Sequence, residues 1–150
     1  MRIIRPLVLY GIGGLLYVLL EVIWRGYSHW TMHFVGGICF LLIGAINEVL
    51  PWKMPLVLQC IIGALVVTVV ELASGCVINL WLGWDVWDYS GLPCNLWGQI
   101  CLPFSMLWVA VSGVAIVLDD YLRHWLFGRE HPHYTLIRWR RKQTPSVRGS

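Results

Sequence analysis

The sequence predicts an all-α fold, a polytopic membrane protein built as a four-transmembrane-helix bundle with both termini cytoplasmic. Three observations predict it. Of 150 residues, 58% are hydrophobic and only 13% are charged, against roughly 25% charged in a soluble domain. The apolar residues gather into four runs long enough to cross a bilayer. Ten of the eleven Lys and Arg then fall on one side of the arrangement those runs imply. A soluble fold of this size cannot hide so much apolar surface, so lipid must solvate it. In lipid the backbone polar groups need internal partners, which leaves helices as the form of these runs. The expected location is the cell membrane, as a multi-pass protein.

The helices are expected at about 7–24, 30–50, 55–82 and 96–118, the last with a surface extension to 127. Arg2 and Arg5 before the first run imitate a signal peptide, but Glu21 and Trp24 stand where small cleavage-site residues belong. The run is therefore read as a signal anchor. Pro51 and Pro55 bracket a short turn between the second and third helices. Pro103 is expected to kink the fourth helix one to two turns in, and Gly128 to end the extension. Residues 1–128 are read as the transmembrane domain and 129–150 as a basic cytoplasmic tail.

Orientation follows from the bases. Arg2, Arg5, Lys53, Arg123, Arg129, Arg138, Arg140, Arg141, Lys142 and Arg148 share the side that holds both termini, and Arg25 stands alone on the other. The loop Trp84–Asn95 then faces outward. Trp81, Trp84 and Trp87 give it an aromatic rim at headgroup level. The run Arg138-Trp139-Arg140-Arg141-Lys142 suits anionic headgroups at about 1 kcal/mol per base, or serves as a topology signal alone. Membrane lipids are the expected surroundings. No nucleic-acid partner and no cofactor are read from the chain.

The polar residues inside the runs carry the functional question. Glu71 lies eleven residues before Leu82, roughly 16 Å from that helix end and near the midplane. An acid there needs a partner, a proton or water. Gln59, Gly63, Glu71, Gly75 and Asn79 stand at multiples of four, so one face of the third helix is small and polar, flanked by Thr68 and Ser74. One reading is a pathway or pocket lined by Glu71 and Asn79. The other is close helix packing through small residues, with Glu71 hydrogen-bonded. Glu21 and Arg25 are an i,i+4 pair in the favourable order, and Tyr10, Gly14, Tyr17 and Glu21 share a face. Glu48, beside Asn47 at the inner end of the second helix, is read as an interfacial acid near Lys53. Ser105, Ser112 and Asp119 recur every seven residues and should face one neighbouring helix.

Two possible metal signals are weak. His29 and His33 are four apart, with Asp85 and Asp88 in reach of the loop, but no complete motif accompanies them. The five cysteines contain no CxxC pair, so no structural zinc site is expected. Cys94 and Cys101 could meet across the loop, which spacing alone does not decide.

The run Trp87-Asp88-Tyr89-Ser90, then Pro93, Asn95, Gly98, Ile100-Cys101-Leu102 and Ser105, resembles the bacterial family of ABC-transporter permeases of type IV, called CmpB-like. Glu71, Gly75 and Arg25-Gly26 fit the same pattern, so the resemblance spans about Glu21 to Trp108. After Gly26 the chain departs from it, reading Tyr27-Ser28-His29-Trp30-Thr31. The resemblance implies a permease with an ATPase subunit as partner. The chain has no Walker A sequence, and its one internal cytoplasmic loop, Pro51–Met54, is too short for a coupling element. The amphipathic segment after Leu118 is the remaining docking candidate.

Asp88, Ser90 or Asn95 could cap the fourth helix, with Pro93 fixing the turn. Capping leaves unexplained why Asp88, Tyr89 and Ser90 gather above a buried glutamate, so the loop is expected to fold over the bundle and close an outward pocket. The leading reading is a small transport or channel-like protein, working as a homo-oligomer or a subunit. Glu71, Asn79, Asp88, Tyr89, Ser90, Asn95 and Ser105 would bind substrate or ion, supported by Glu21, Arg25, Gly75, Trp87, Pro93 and Gly98. One alternative is a membrane-embedded enzyme acting on a lipid or isoprenoid, with Glu71 and Asp88 as an acid/base pair. The other is a binding or regulatory membrane protein without turnover.

Overall fold

The structure is a computed structural model that describes residues 4–50 and 54–136. Its elements are α1 (Ile4–Arg25), α2 (Trp30–Gly44), the short α3 (Ile46–Val49) and α4 (Leu56–Gly75), which runs on as a π-helical turn, Cys76–Trp81. A two-stranded ribbon follows, β1 (Asn95–Leu96) and β2 (Ile100–Cys101), and then α5 (Leu102–Phe127). Four stretches are long and apolar enough to span a membrane: Ile4–Arg25, Trp30–Val49, Leu56–Trp81 and Leu102–Phe127. The Pro51–Lys53 part of the turn and the Arg138–Lys142 run lie outside the described residues.

Two helix boundaries differ from expectation. The second span breaks at Ala45, whose N–H bonds back to Leu41 before α3 resumes. The fourth begins at Leu102 rather than Leu96. Asn95 pairs with Cys101 and Leu96 with Ile100 in an antiparallel ribbon, turned by Trp97 and Gly98 at φ of 53° and 69°. Only the hydropathy of Leu96, Trp97 and Ile100 joined these residues to the helix. Pro103 consequently sits in the first turn of α5, where its missing N–H has no helical partner to lose, so it does not kink the helix. Cys101 occupies the N-cap position and makes no side-chain cap bond. Asp88, Ser90 and Asn95 therefore do not cap α5.

The first two helices interlock through glycine. Side chains at Gly13 and Gly14 would collide with Phe40 and His33 of α2, and side chains at Gly36 and Gly37 would collide with Tyr17 and Tyr10 of α1. Each helix offers a bare patch to the other's rings, the close approach that packs helices in lipid. The α4–α5 pair is built alike. Thr68 donates to Ser105 (3.2 Å), Gly63 leaves room for the fully buried Ser112, and Gly44 of α2 leaves room for the Asp119 carboxylate. The seven-residue series on α5 meets two neighbours rather than the one expected: Ser105 and Ser112 face α4, and Asp119 faces α2. The second helix touches α4 and α5, whereas α1 scarcely meets α5. A seam stays open between those two helices.

At the end that carries the start of α1 and the end of α5, polar groups tie the spans together. Asp119 is fully buried and takes Arg123 Nε at 2.5 Å. Asp120 accepts from Asn47 (2.6 Å) and from the Tyr134 hydroxyl (2.7 Å). Glu48 pairs with Arg123 (3.3 Å) and Arg129 (3.0 Å). The stretch after Gly128, read from the sequence as tail, lies against the helices as far as it is described: the Leu56 N–H bonds to the Thr135 carbonyl (2.8 Å). Arg5 stacks on Phe127, 5.3 Å from the ring centre, which puts both ends of the described chain on one side.

Candidate functional site

The site is built where α4 widens. In an α-helix each four-residue step overshoots a full turn by about 40°, so a face marked every four residues drifts around the axis. The π turn carries an extra residue per turn and rotates Asn79 back into line with Glu71. Gln59, Glu71 and Asn79 are all buried, as are Gly63 and Gly75. This face points into the protein.

Asn79 holds the loop down. Its Oδ1 accepts from the Val86 N–H (2.8 Å), and its Nδ2 donates to the Trp87 carbonyl (3.0 Å) and to Gln99 Oε1 (2.8 Å). Gln99 is 3% exposed, and its backbone carbonyl accepts from the Trp87 indole (3.0 Å). A side chain at Gly75 would strike Gln99 Oε1 and the Trp87 ring. Trp87 is thus a plug beneath the loop rather than part of its rim, while Trp81 and Trp84 do stand exposed.

Beneath the loop both oxygens of Glu71 are engaged. The Tyr89 hydroxyl donates to Oε1 and the Trp108 indole N–H to Oε2, each at 2.9 Å. Tyr89 stacks on Phe104 with 4.7 Å between ring centres. Burial and the adjacent Glu71 carboxylate hold the Tyr89 phenol above its ordinary pKa range.

Asp88, Ser90 and Asn95 lie above this layer and are exposed. Asp88 accepts from the Ser90 N–H and hydroxyl, each at 2.8 Å, and those bonds hold its pKa below the usual carboxylate range. Asn95 binds the carbonyls of Ser90 (3.1 Å) and Leu92 (2.8 Å) and accepts from the Gly98 N–H (3.2 Å). Gly98 adopts φ 69°, and Pro93 lies in the same turn. These residues shape the loop; their bonds do not reach Glu71. Asp88 and Glu71 share no hydrogen-bond partner, so the two carboxyls are not joined as an acid/base pair. Ser105 is engaged by Thr68, between α4 and α5.

A cavity of about 600 Å³ opens beside the loop between α1 and α5. Its lining includes the Glu21–Arg25 ion pair (2.9 Å), Asp85, Tyr89 and Trp108. Arg25 also donates to the Val86 carbonyl (3.0 Å), and Glu21 accepts from the Ser28 hydroxyl (2.5 Å). Glu71 does not line the cavity. It lies one layer deeper than the expected floor, behind the two rings that bind it. His29 caps α2 through Thr31, and His33 packs against Tyr10 and Phe34. Among the described residues no three His, Cys, Asp or Glu are grouped to hold a metal. All five thiols are free, Cys94 exposed and Cys101 buried.

Trp108 and Gln99 escaped the sequence reading. Trp108 had a usable signal: a tryptophan far from the interface must bring its N–H to an acceptor, and Glu71 is the acid at that depth. Gln99 had none beyond being polar.

Fold and site together define a multi-pass helical membrane protein with a polar cluster under an extramembrane loop. The family model described as Putative ABC-transporter type IV matches residues 3–132. The chain belongs to that family, whose description supports a role in membrane transport. Comparison with curated proteins and with solved structures gives no match.

Proposed function

We propose that this is a small membrane transport protein with an outward-facing cavity, in which Glu71 governs the cavity wall through its proton. One observation carries the reading: the two groups that bind Glu71 are themselves the wall. An indole N–H can only donate, so Oε2 must stay an acceptor. A phenol can donate or accept. A proton on Oε1 is therefore accommodated when the Tyr89 hydroxyl turns its hydrogen toward the cavity and accepts instead. The protonation state of Glu71 then sets what Tyr89 presents to a substrate. Asp88, Ser90, Asn95, Pro93 and Gly98 act by holding the loop that carries Tyr89. Asn79, Gly75 and Trp87 seat that loop on α4, while Glu21 and Arg25 form the far rim.

Both termini are cytoplasmic in this reading, by the ten-to-one split of bases. The protein works as a homo-oligomer, because one chain encloses a cavity open at the side rather than a path across the membrane. The family description supports an ATPase partner, which would dock on the surface portion of α5 after Leu118.

The test is flux in liposomes that trap a pH-sensitive dye, under imposed proton, sodium or potassium gradients. Wild-type protein should dissipate a gradient faster than empty vesicles, and Glu71→Gln should abolish this while melting at the same temperature. Wild-type vesicles as tight as empty ones would sink the transport reading.

A further inference from the structure

We infer that the seam between α1 and α5 binds a phospholipid with a primary-amine headgroup, its amine at Asp85 and one acyl chain laid along the seam. The inference adds a lipid-binding site beside the proposed ion transport, and the binding does not depend on that reading.

The shape comes first. The 600 Å³ cavity at the loop end continues into a second of about 220 Å³, lined among others by Leu16, Leu19, Phe40 and Leu118. Tyr17, Leu20, Trp108 and Val111 line both, so the two form one groove, polar at the loop end and apolar deeper in the membrane. Its edges stand bare: Leu20 is 54% exposed and Val114 69%. In a bilayer those edges meet acyl chains, so a lipid can enter sideways without leaving the membrane.

The charges choose the headgroup. The loop-end lining has three acids, Glu21, Asp85 and Asp88, against Arg25. Glu21 is committed to Arg25 and Ser28, and Asp88 to Ser90. Asp85 makes no hydrogen bond or ion pair among the described residues, and its backbone is held at φ 47°, uncommon outside glycine though tolerated by Asp. It is an acceptor without a donor at the mouth of the groove. Arg25 is already engaged. Its Nη2 is buried and lies 2.9 Å from Glu21, its Nε donates to the Tyr27 carbonyl, and its guanidinium covers the Tyr27 ring. Nη1 reaches the carbonyl of Val86, the residue after Asp85, so the uncompensated charge on this rim is the Asp85 carboxylate. A primary ammonium headgroup supplies both the charge and the N–H donors it lacks. An anionic glycerol headgroup offers Asp85 no cation, and a choline offers it no N–H.

The experiment is native mass spectrometry of the purified full chain in detergent. Phosphatidylethanolamine, phosphatidylcholine and phosphatidylglycerol of identical acyl chains are titrated one at a time. Ethanolamine lipid should bind roughly tenfold more tightly than either of the others, the value of one charge-assisted hydrogen bond. Asp85→Asn should remove that preference. Val111→Trp and Leu20→Trp, which fill the groove from opposite walls, should each abolish retention of all three lipids while leaving the melting temperature near wild type. Equal binding of the three lipids by wild type, or an unchanged order in Asp85→Asn, overturns the headgroup assignment. Lipid retained by both groove-filling variants overturns the location. Vesicle flux without lipid preference removes this inference and keeps the transport reading; lipid preference without flux does the reverse.

Discussion

The indole nitrogen of Trp108 in α5 donates to Oε2 of Glu71 in α4 across 2.9 Å. This bond joins two helices at membrane depth and keeps one of the two carboxylate oxygens facing an N–H that can only donate.

Its consequences separate conservative from disruptive changes at Glu71. In Glu71→Gln the amide oxygen can serve Trp108 while the amide N–H₂ donates to Tyr89, so thermal unfolding should stay within a few degrees of wild type. In Glu71→Leu the buried Trp108 indole loses its acceptor, at about 1–3 kcal/mol for a group left unsatisfied, and the partly buried Tyr89 hydroxyl must turn to the cavity. Tryptophan fluorescence on heating in detergent should show Leu melting well below Gln. Equal melting of the two variants would mean the bonds contribute nothing.

Asn79 makes three hydrogen bonds that pin the loop. Asn79→Leu keeps the volume and removes all of them, leaving the Val86 N–H and the Trp87 carbonyl without partners. Hydrogen exchange should speed at 85–89 and leave the α1–α2 interlock protected. Unaltered exchange in that loop would show that something else holds it.

Asp88 supplies the pH dependence. Its folded pKa lies below the ordinary carboxylate range because Ser90 donates to its charged form from backbone and hydroxyl. The turn is therefore stabilised above the unfolded Asp value of about 3.9. That contribution is lost as pH falls through the lower, folded pKa. The Ser90 amide resonance should titrate with a midpoint below that value. In Asp88→Asn the amide oxygen still accepts and the titration should disappear.

Gly44→Ala should be costly for its size. The added methyl would occupy the space of the Asp119 carboxylate, and overpacking of this kind costs about 1–3 kcal/mol. Gly11→Ala, which meets nothing, is the control and should melt as wild type does.

Orientation is checked by labelling in a background free of native cysteine. A thiol at position 91 should react with an impermeant reagent added outside, and one at 144 should not. The opposite pattern would reverse the membrane sidedness and turn the cavity inward.

The sequence by itself determined the four spans, the inward polar face of α4 and the Glu21–Arg25 pair. Each is a local property, hydropathy over about twenty residues or spacing along one helix, so neighbours in the chain suffice to reveal it. Tertiary structure decided the rest. Residues 95–101 share the hydropathy of a helix start but form a ribbon, because Asn95, Gly98 and Gln99 find partners in the loop and on α4. Glu71 is met by residues 18 and 37 positions away, and Asp120 by Asn47, 73 positions away. The seam between α1 and α5 exists because the glycines of α1 and α2 match each other and spend the inner face of α1 on that contact. Which helix pairs with which, and what gap is left, depends on the fit of two surfaces distant in sequence, a quantity that periodicity along one chain does not contain.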